Sequence, residues 1–189
     1  MQTHSKMTGR NRRLYNEWKI LEERFSDEKS VAISVEKCNA EGMPVAYRIH
    51  YALRSICGVE RAEQLNEKGV SNPPIFASDF EMRVSIPAGY PSIDAPAEYR
   101  FVNETVEGEK VALPWHPNIR YFGEMKGRVC LNATDSFVEL AWGVERVKQY
   151  LTYERYHAIA EPPFPEDLKV ARWVVEQGEP QGWVAFAQN

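Results

Sequence analysis

Two short segments of the sequence, 115–119 and 127–132, contain most of the residues that could do chemistry. The first reads Trp-His-Pro-Asn-Ile and the second reads Gly-Arg-Val-Cys-Leu-Asn. Together they supply a thiol, an imidazole and a carboxamide, the groups of a cysteine nucleophile with hydrogen-bonding neighbours. No strand alternation runs through Cys130, and Gly127, Arg128 and Asn132 beside it are small or polar. We therefore predict that Cys130 is a nucleophile rather than a buried small hydrophobe.

The other cysteines and the histidines show no pattern typical of a metal site or of disulfide bonds. Cys38 and Cys57 fall at the ends of predicted strands, where we expect them to be core filler. An odd number of cysteines cannot all pair within the chain, so we expect reduced thiols and a cytoplasmic protein. The four histidines and three cysteines lack the ligand spacing of a zinc site.

The composition is that of a soluble globular domain and excludes several classes of protein. The chain has 189 residues, of which 43% are hydrophobic and 26% are charged, and its formal net charge is −4. A disordered or fibrous chain is excluded, and the charge gives no indication of binding to nucleic acid or to an anionic membrane. The sequence offers no apolar run of membrane-spanning length, and the N-terminus lacks the apolar stretch of a secretion signal.

Hydrophobic periodicity predicts the elements that would position the two segments. A helical stripe predicts a first helix from about Asn11 to Ser26, with a basic leading end. Period-two alternation then predicts four strands around residues 31–35, 45–53, 76–86 and 99–101. Because no helix-length connection separates these strands, we expect an antiparallel meander.

Two further helices are predicted after a proline-rich region. Their apolar stripes are Val144, Val147 and Leu151 for one, and Leu168, Ala171 and Val175 for the other. Pro165 is placed to open the second of them. The polar stretch 58–73 is predicted to be a functional or mobile loop with a turn or two of helix at 61–67. We therefore predict one α+β domain, residues 1–177, followed by a tail, 178–189, that packs back onto it.

The ordered set of motifs resembles the ubiquitin-conjugating enzyme family. A strand ending in Pro87 leads to Tyr90-Pro91, Pro96 and Phe101, then to His116-Pro117-Asn118-Ile119, Gly127, Cys130-Leu131, Trp142 and two helices. All occur in the family's order, and the resemblance covers residues 11–177. It implies the family's fold, with an N-terminal helix, a four-stranded antiparallel meander sheet, an active-site loop and two C-terminal helices.

The resemblance implies a thioester carrier that needs no metal or organic cofactor. An activating enzyme would pass a ubiquitin-like modifier to Cys130, which would transfer it to an amine, usually a lysine of a target protein. Asn118 matches the family residue that supports the oxyanion or holds the loop, and His116 matches a residue that fixes the loop turn. Arg12, Arg13 and Lys19 on the first helix are the expected contacts to the activating enzyme.

An acid that helps the attacking lysine lose its proton is also expected, but the sequence does not select one. Candidates before the last helix are Glu161, Glu166 and Asp167, and candidates after the cysteine are Asp135 and Glu139. Desolvation and a nearby carboxylate would both assist an amine whose pKa in water is near 10.4.

The sequence departs from the family in places that indicate a divergent member. Residues 121–126 lengthen the stretch before the cysteine and could form a lip over the thioester. Ser92 replaces the aromatic residue after Tyr-Pro, and 143–145 replace the usual Ser-Pro-Ala. The chain is in this respect similar to the conjugating enzymes of bacterial ubiquitin-like operons, some of which serve antiviral defence. Two alternatives are a non-catalytic binding module and a cysteine hydrolase using Cys130 with His116 or His157.

Overall fold

A computed structural model describes residues 7–92, 94–102, 112–131 and 139–184, and the backbone alone of residues 105–106 and 109–110. The elements in chain order are α1 (Gly9–Phe25), β1 (Val31–Cys38), β2 (Pro44–Val59), a 3₁₀ turn (Ala62–Gln64), β3 (Pro74–Ser85), β4 (Glu98–Phe101), β5 (Thr105–Val106), β6 (Glu109–Lys110), α2 (Leu140–Leu151), α3 (Leu168–Trp173) and a π turn (Val174–Gly178). No helix of the described residues is long and apolar enough to cross a membrane.

The sheet is the predicted four-stranded meander. Its strands lie in the order β1-β2-β3-β4, and each adjacent pair is antiparallel. The alternating residues Tyr47, Ile49 and Tyr51 of β2 are fully buried, as the period-two pattern requires. The prediction of an N-terminal helix, an antiparallel sheet and C-terminal helices is therefore confirmed. The short β5–β6 hairpin was not predicted.

Helices α1 and α2 cover one face of this sheet. The Thr8 side chain accepts a hydrogen bond from the Asn11 N–H at 3.2 Å, so α1 begins two residues before the predicted start. Leu14 and Leu21 of α1 are buried in the main core together with α2 residues. The Tyr51 hydroxyl donates to the Val144 carbonyl at 3.0 Å, which joins the sheet directly to α2.

A buried carboxylate joins the two helices. The Glu17 side chain of α1 is 1% exposed and accepts hydrogen bonds from the Tyr90 hydroxyl at 2.7 Å and from the Leu140 N–H at 2.8 Å. It therefore satisfies a backbone donor at the first turn of α2, where no side chain of α2 itself caps the helix. Arg13 pairs with the same carboxylate at 2.5 Å. Glu17, which lies among the basic residues of α1, thus has a structural role.

The prediction that Cys38 is core filler is wrong. Cys38 is the last residue of β1 and is exposed, whereas Cys57 near the end of β2 is half-buried. The reason is that β1 is an edge strand that leaves the core early, and Val31 is its one buried residue. Strand position alone therefore did not predict burial at this end of the sheet.

The last helix is shorter than predicted and buries a different face. Asp167 is its N-cap and accepts from the Lys169 and Val170 N–H groups at 2.9 and 3.0 Å, so the helix begins after Pro165 rather than at it. The buried residues are Val170, Ala171, Trp173 and Val174. Two members of the predicted stripe, Leu168 and Val175, are 53% and 50% exposed instead.

A second core, made largely of aromatic residues, holds the loop 58–73 and the start of the tail. Trp173 stacks on Trp183 with ring centroids 6.1 Å apart, and its indole N–H donates to the Asn72 carbonyl at 2.9 Å. Asn72 is fully buried and also bonds Gln177. The loop contains a single 3₁₀ turn where one or two helical turns were predicted. Of the tail residues, Phe186 lies outside the described part of the chain.

Candidate functional site

The segments 116–120 and 128–130 run antiparallel to each other and bring Asn118 beside Cys130. The Arg120 N–H donates to the Arg128 carbonyl at 3.0 Å, and the Cys130 N–H donates to the Asn118 carbonyl at 2.9 Å. Ile119 and Val129 form a β-bridge between these bonds. Residues 119–129, which separate Asn118 from Cys130 in sequence, therefore close into a hairpin. Residues 121–126, the predicted lip, are the turn of this hairpin.

Gly127 anchors the hairpin to β4. Its φ is +85°, and a Cβ at this position would lie 2.2 Å from the Phe101 carbonyl oxygen. In return, the Phe101 N–H donates to the Gly127 carbonyl at 2.9 Å. Only glycine tolerates both the positive φ and the close approach. The position of Cys130, three residues on, is thus set by the edge of the sheet.

The Asn118 side chain is oriented by two backbone partners. It is 1% exposed, and its Oδ1 accepts from the His157 N–H at 2.9 Å. Because Oδ1 faces a donor, Nδ2 is the atom turned toward Cys130, and it lies 3.5 Å from the Cys130 carbonyl oxygen. A neutral N–H donor is thereby held at the backbone of Cys130, whose side chain is half-exposed, and a donor in such a place can stabilise negative charge developing on an acyl oxygen.

His116 is a buried, neutral imidazole that holds the turn. Its Nδ1 accepts from the Asn118 N–H at 3.1 Å, and its Nε2 lies 3.0 Å from the Arg155 carbonyl, to which it donates. Burial lowers the pKa of His116 to about 3, opposed by the bond to Arg155. The ring also stacks on Tyr150, with centroids 4.7 Å apart. At neutral pH this side chain positions Asn118 and is unsuited to serve as a base.

We expect this histidine to make the folded state sensitive to acid. Because its pKa is about 3 when folded and near 6.5 when unfolded, the unfolded chain binds more protons between these values. The free energy of unfolding should fall as pH is lowered from 6.5 to 4.5, by up to about 1.4 kcal/mol per pH unit. Urea titrations at pH 7.5, 6.5, 5.5 and 4.5 measure this slope.

The variant His116→Gln should show a shallower slope over the same range, although it lowers stability at every pH. Equal slopes for the wild type and His116→Gln would contradict the assignment. Glu28, whose pKa the Lys148 ammonium lowers to about 2, contributes mainly below about pH 5 and does so equally in both chains.

Two of the candidate acids, Glu166 and Asp167, already form salt bridges or hydrogen bonds within the chain. Glu166 pairs with Arg120 at 2.8 Å and with Arg128 at 3.0 Å, and its side chain is 9% exposed. Asp167 is occupied by capping α3. Glu166 and Asp167 therefore fix the hairpin and the last helix rather than remaining available to an incoming amine.

The other three candidates remain open. Glu139, at the N-cap of α2, and Glu161, in the loop before α3, are exposed and make no side-chain bond to a described residue. Asp135 lies outside the described residues, as does Asn132. An exposed carboxylate can face an incoming amine, so Glu139 and Glu161 keep the role proposed from the sequence.

The three basic residues of α1 are not equivalent. Arg13 pairs with the buried Glu17, and Lys19 pairs with Glu22 at 2.6 Å on the surface. Arg12 is exposed. Arg12 and Lys19 are thus exposed on the surface of α1, whereas Arg13 contributes to the link between α1 and α2.

Several residues that build the site were not predicted from the sequence. They are Tyr150 and Tyr153, which pack on the His116 ring, and the arginines Arg120 and Arg128 that pair with Glu166. Tyr121, predicted only as part of the lip, accepts through its hydroxyl from the His116 N–H at 2.6 Å. Within the described residues, no group of three His, Cys, Asp or Glu could hold a metal ion.

The sequence matches no protein-family model and no curated protein. Among solved structures it is similar to a putative ubiquitin conjugating enzyme from Plasmodium yoelii, with 19% identity and a TM-score of 0.49 over 91% of this chain and 87% of that one. It is also similar to a ubiquitin conjugating enzyme E2 domain from Toxoplasma gondii, with 19% identity and a TM-score of 0.46 over 89% and 88% of the two chains. At these values the likeness does not assign the chain to a family.

Proposed function

We propose that the chain is a ubiquitin-conjugating-type acyl transferase. It accepts the carboxyl terminus of a ubiquitin-like protein from an activating enzyme as a thioester on Cys130, and it transfers that acyl group to a target amine. The observation that carries the proposal is the Asn118–Cys130 pair, in which a buried carboxamide is oriented by the His157 N–H and donates to the backbone carbonyl of a half-exposed cysteine. This is the pair that the motif order in the sequence singles out.

The arrangement suits both halves of an acyl relay. Thioester exchange between two thiols is nearly isoenergetic, and attack by an amine then gives a more stable amide. Both steps pass through a tetrahedral centre with negative charge on oxygen, for which the Asn118 Nδ2 is a preorganised neutral donor. The chemistry needs no cofactor, because ATP is consumed earlier, by the activating enzyme.

The test is to mix the chain with an activating enzyme, a ubiquitin-like modifier and ATP, and to separate the products on a non-reducing gel. An adduct that disappears on treatment with thiol supports the proposal. If a competent activating enzyme charges other carriers but never this chain, the chain is instead a binding module of the same fold. If the chain alone cleaves a preformed conjugate, it is a hydrolase.

The hydrolase is the weaker alternative on the present geometry. Of its two candidate bases, His116 is buried and neutral with both ring nitrogens bonded to backbone. His157 lies with Nε2 2.6 Å from the Pro163 carbonyl, to which it donates. The second ring nitrogen of His157, Nδ1, can still accept a proton when Nε2 donates to a carbonyl. Cleavage of a preformed conjugate is therefore the experiment that distinguishes the hydrolase from the acyl transferase.

The proposal extends to the setting of the reaction. Ser92 and the segment 143–145 replace features that the family uses to contact eukaryotic ligases, which supports a bacterial conjugation operon, of the kind that serves antiviral defence, in the cytoplasm. An activating enzyme from such an operon should charge the chain, and a eukaryotic activating enzyme should not. Charging by the eukaryotic enzyme alone would contradict this setting.

Reversal of two charges on α1 should slow charging without affecting later steps. Arg12→Glu combined with Lys19→Glu reverses two exposed positive charges of α1 while leaving the Arg13–Glu17 pair intact. We expect the rate of thioester formation to fall about tenfold at low salt, because steering between opposite charges is lost. Pre-steady-state charging assays measure this rate.

The control is Lys68→Glu, an exposed charge in the loop 58–73, which should charge normally. Discharge of preformed thioester to free lysine should be unchanged in both variants. If the α1 variant charges at the wild-type rate, α1 is not the docking surface.

A further inference from the structure

A groove lies between the chain segment 156–160 and the exposed side of the last helical segment. Its volume is about 650 Å³. Ile159 lies on one side, and Leu168 and Val175 lie on the other, with Ala171 between them. Leu168, Ala171 and Val175 are the residues whose sequence pattern predicted a buried helix face.

The apolar lining is open to solvent. The side chains of Ile159, Leu168 and Val175 are 52%, 53% and 50% exposed, and Phe164 in the adjoining loop is 60% exposed. Single exposed apolar residues are normal on a protein surface, but Ile159, Leu168 and Val175 line one concave surface together, which is the form that binding sites for apolar groups take. The fold itself does not require these residues, since α3 is held by Val170, Trp173 and Val174.

Both walls of the groove are bonded directly to the candidate active site. On one side, the His157 N–H donates to Asn118 Oδ1 at 2.9 Å. On the other, the Asp167 N–H, next to Leu168, donates to the Pro117 carbonyl at 3.1 Å. A chain segment lying in the groove would therefore contact His157 and Leu168, on the two elements that bond to the Pro117-Asn118 segment.

The charges around the groove favour a basic occupant. Two carboxylates, Glu176 and Glu179, and one guanidinium, Arg172, contribute to its lining. Arg172 is neutralised by Glu176 at 2.9 Å, and Glu179 accepts from the Tyr156 hydroxyl at 2.5 Å. The balance is one net negative charge, which repels an acidic segment and attracts a segment that contains lysine.

We propose that this groove binds the acceptor: a segment of the target protein in which large apolar side chains flank the lysine to be modified. The inference rests on the proposed function, whose substrate class it names. The groove holds the apolar neighbours, and the adjoining Asn118–Cys130 pair receives the amine.

The reaction balances without a further reagent. The neutral lysine nitrogen attacks the thioester carbonyl carbon, forming a C–N bond, and the C–S bond to Cys130 breaks. The proton lost by the nitrogen replaces the acyl group on the cysteine sulfur, so that the free thiol is regenerated. No atom is oxidised or reduced. The groove contributes by raising the local concentration of the amine.

The test compares three acceptors on the preformed thioester. They are free lysine, a peptide in which leucine and valine flank one lysine, and the same peptide with serine at both flanking positions. The wild type should modify the apolar peptide about tenfold faster than the serine peptide, as expected for partial burial of two aliphatic side chains. The double variant Leu168→Gln, Val175→Gln should reduce this preference to about twofold or less.

Two controls keep the result interpretable. The rate with free lysine should be unchanged in the double variant, because free lysine makes no use of the groove. Val35→Gln, at an exposed apolar site on the edge strand β1, should keep the wild-type preference for the apolar peptide. Circular dichroism confirms that each variant is folded.

The outcomes separate the two proposals. If wild type forms no thioester, the proposed function fails and this inference fails with it. If the thioester forms but both peptides react equally, or the double variant keeps the preference, only the groove assignment is overturned. If the wild type is a dimer that the double variant dissociates, the groove is covered by a second copy, which also overturns the assignment.

Discussion

Replacing Cys130 with alanine is expected to abolish the thiol-labile adduct completely. The proposed reaction forms a covalent bond between the acyl group and this sulfur. Without the sulfur, no thioester can form at this position. Cys38 is exposed but lies at the end of the edge strand β1, far along the chain from the hairpin. Cys57 is half-buried, and burial raises its pKa, which leaves less thiolate at neutral pH.

The matched controls are Cys38→Ala and Cys57→Ala, both of which should be charged like the wild type. A stricter variant is Cys130→Ser, whose hydroxyl would form an oxygen ester that survives thiol treatment but is cleaved by alkali. An adduct that persists in Cys130→Ala would contradict the assignment, because the acyl group would then be carried by another residue.

Removal of the Asn118 side chain has the second-largest expected effect. Loss of a single oxyanion donor typically costs about 10²–10³ in rate, and we expect Asn118→Ala to slow discharge of the Cys130 thioester to free lysine by that factor. Single-turnover discharge, started from chain that has been charged and freed of ATP, measures this step separately from activation.

Asn118 also holds the His157 backbone, so alanine alone does not distinguish catalysis from positioning. Asn118→Asp does, because a carboxylate keeps an acceptor for the His157 N–H but has no N–H donor to offer the acyl oxygen. We expect the aspartate variant to lower the Tm, because one carboxylate oxygen replaces the donor that faces the Cys130 carbonyl in a buried site, but to remain folded at 25 °C by circular dichroism and to lose about 10² in discharge rate. Wild-type discharge in Asn118→Asp would mean that the residue only holds the loop.

The fold was predictable where one periodicity runs without interruption. Tyr47, Ile49 and Tyr51 alternate along β2 and are fully buried, so the sheet and its meander order followed from the sequence. The last helix was predicted less well, because its burial is decided by Trp173, which lies against Trp115 and Trp183 from other parts of the chain. Helical spacing of Leu168, Ala171 and Val175 carried no information about those contacts.

The sequence identified the candidate site residues, but it did not predict the hydrogen bonds that hold them in place. The order of His116, Asn118 and Cys130 singled these residues out, but the contacts that hold them come from His157 and Arg155, which are distant in sequence. The same distance explains why Glu166 was read as a candidate base. Its two arginine partners lie 38 and 46 residues away, and no local pattern indicates such a pairing.

The most direct test of the central claim is to locate the acyl group on the charged chain. Charging with a ubiquitin-like modifier, followed by proteolysis at low pH and mass spectrometry, identifies the peptide that carries the modifier's C-terminal residues. We predict that this peptide contains Cys130, that the bond is cleaved by thiol, and that it is absent without ATP or activating enzyme. An acyl group attached to Cys38, to Cys57 or only to lysine side chains would contradict the proposed function.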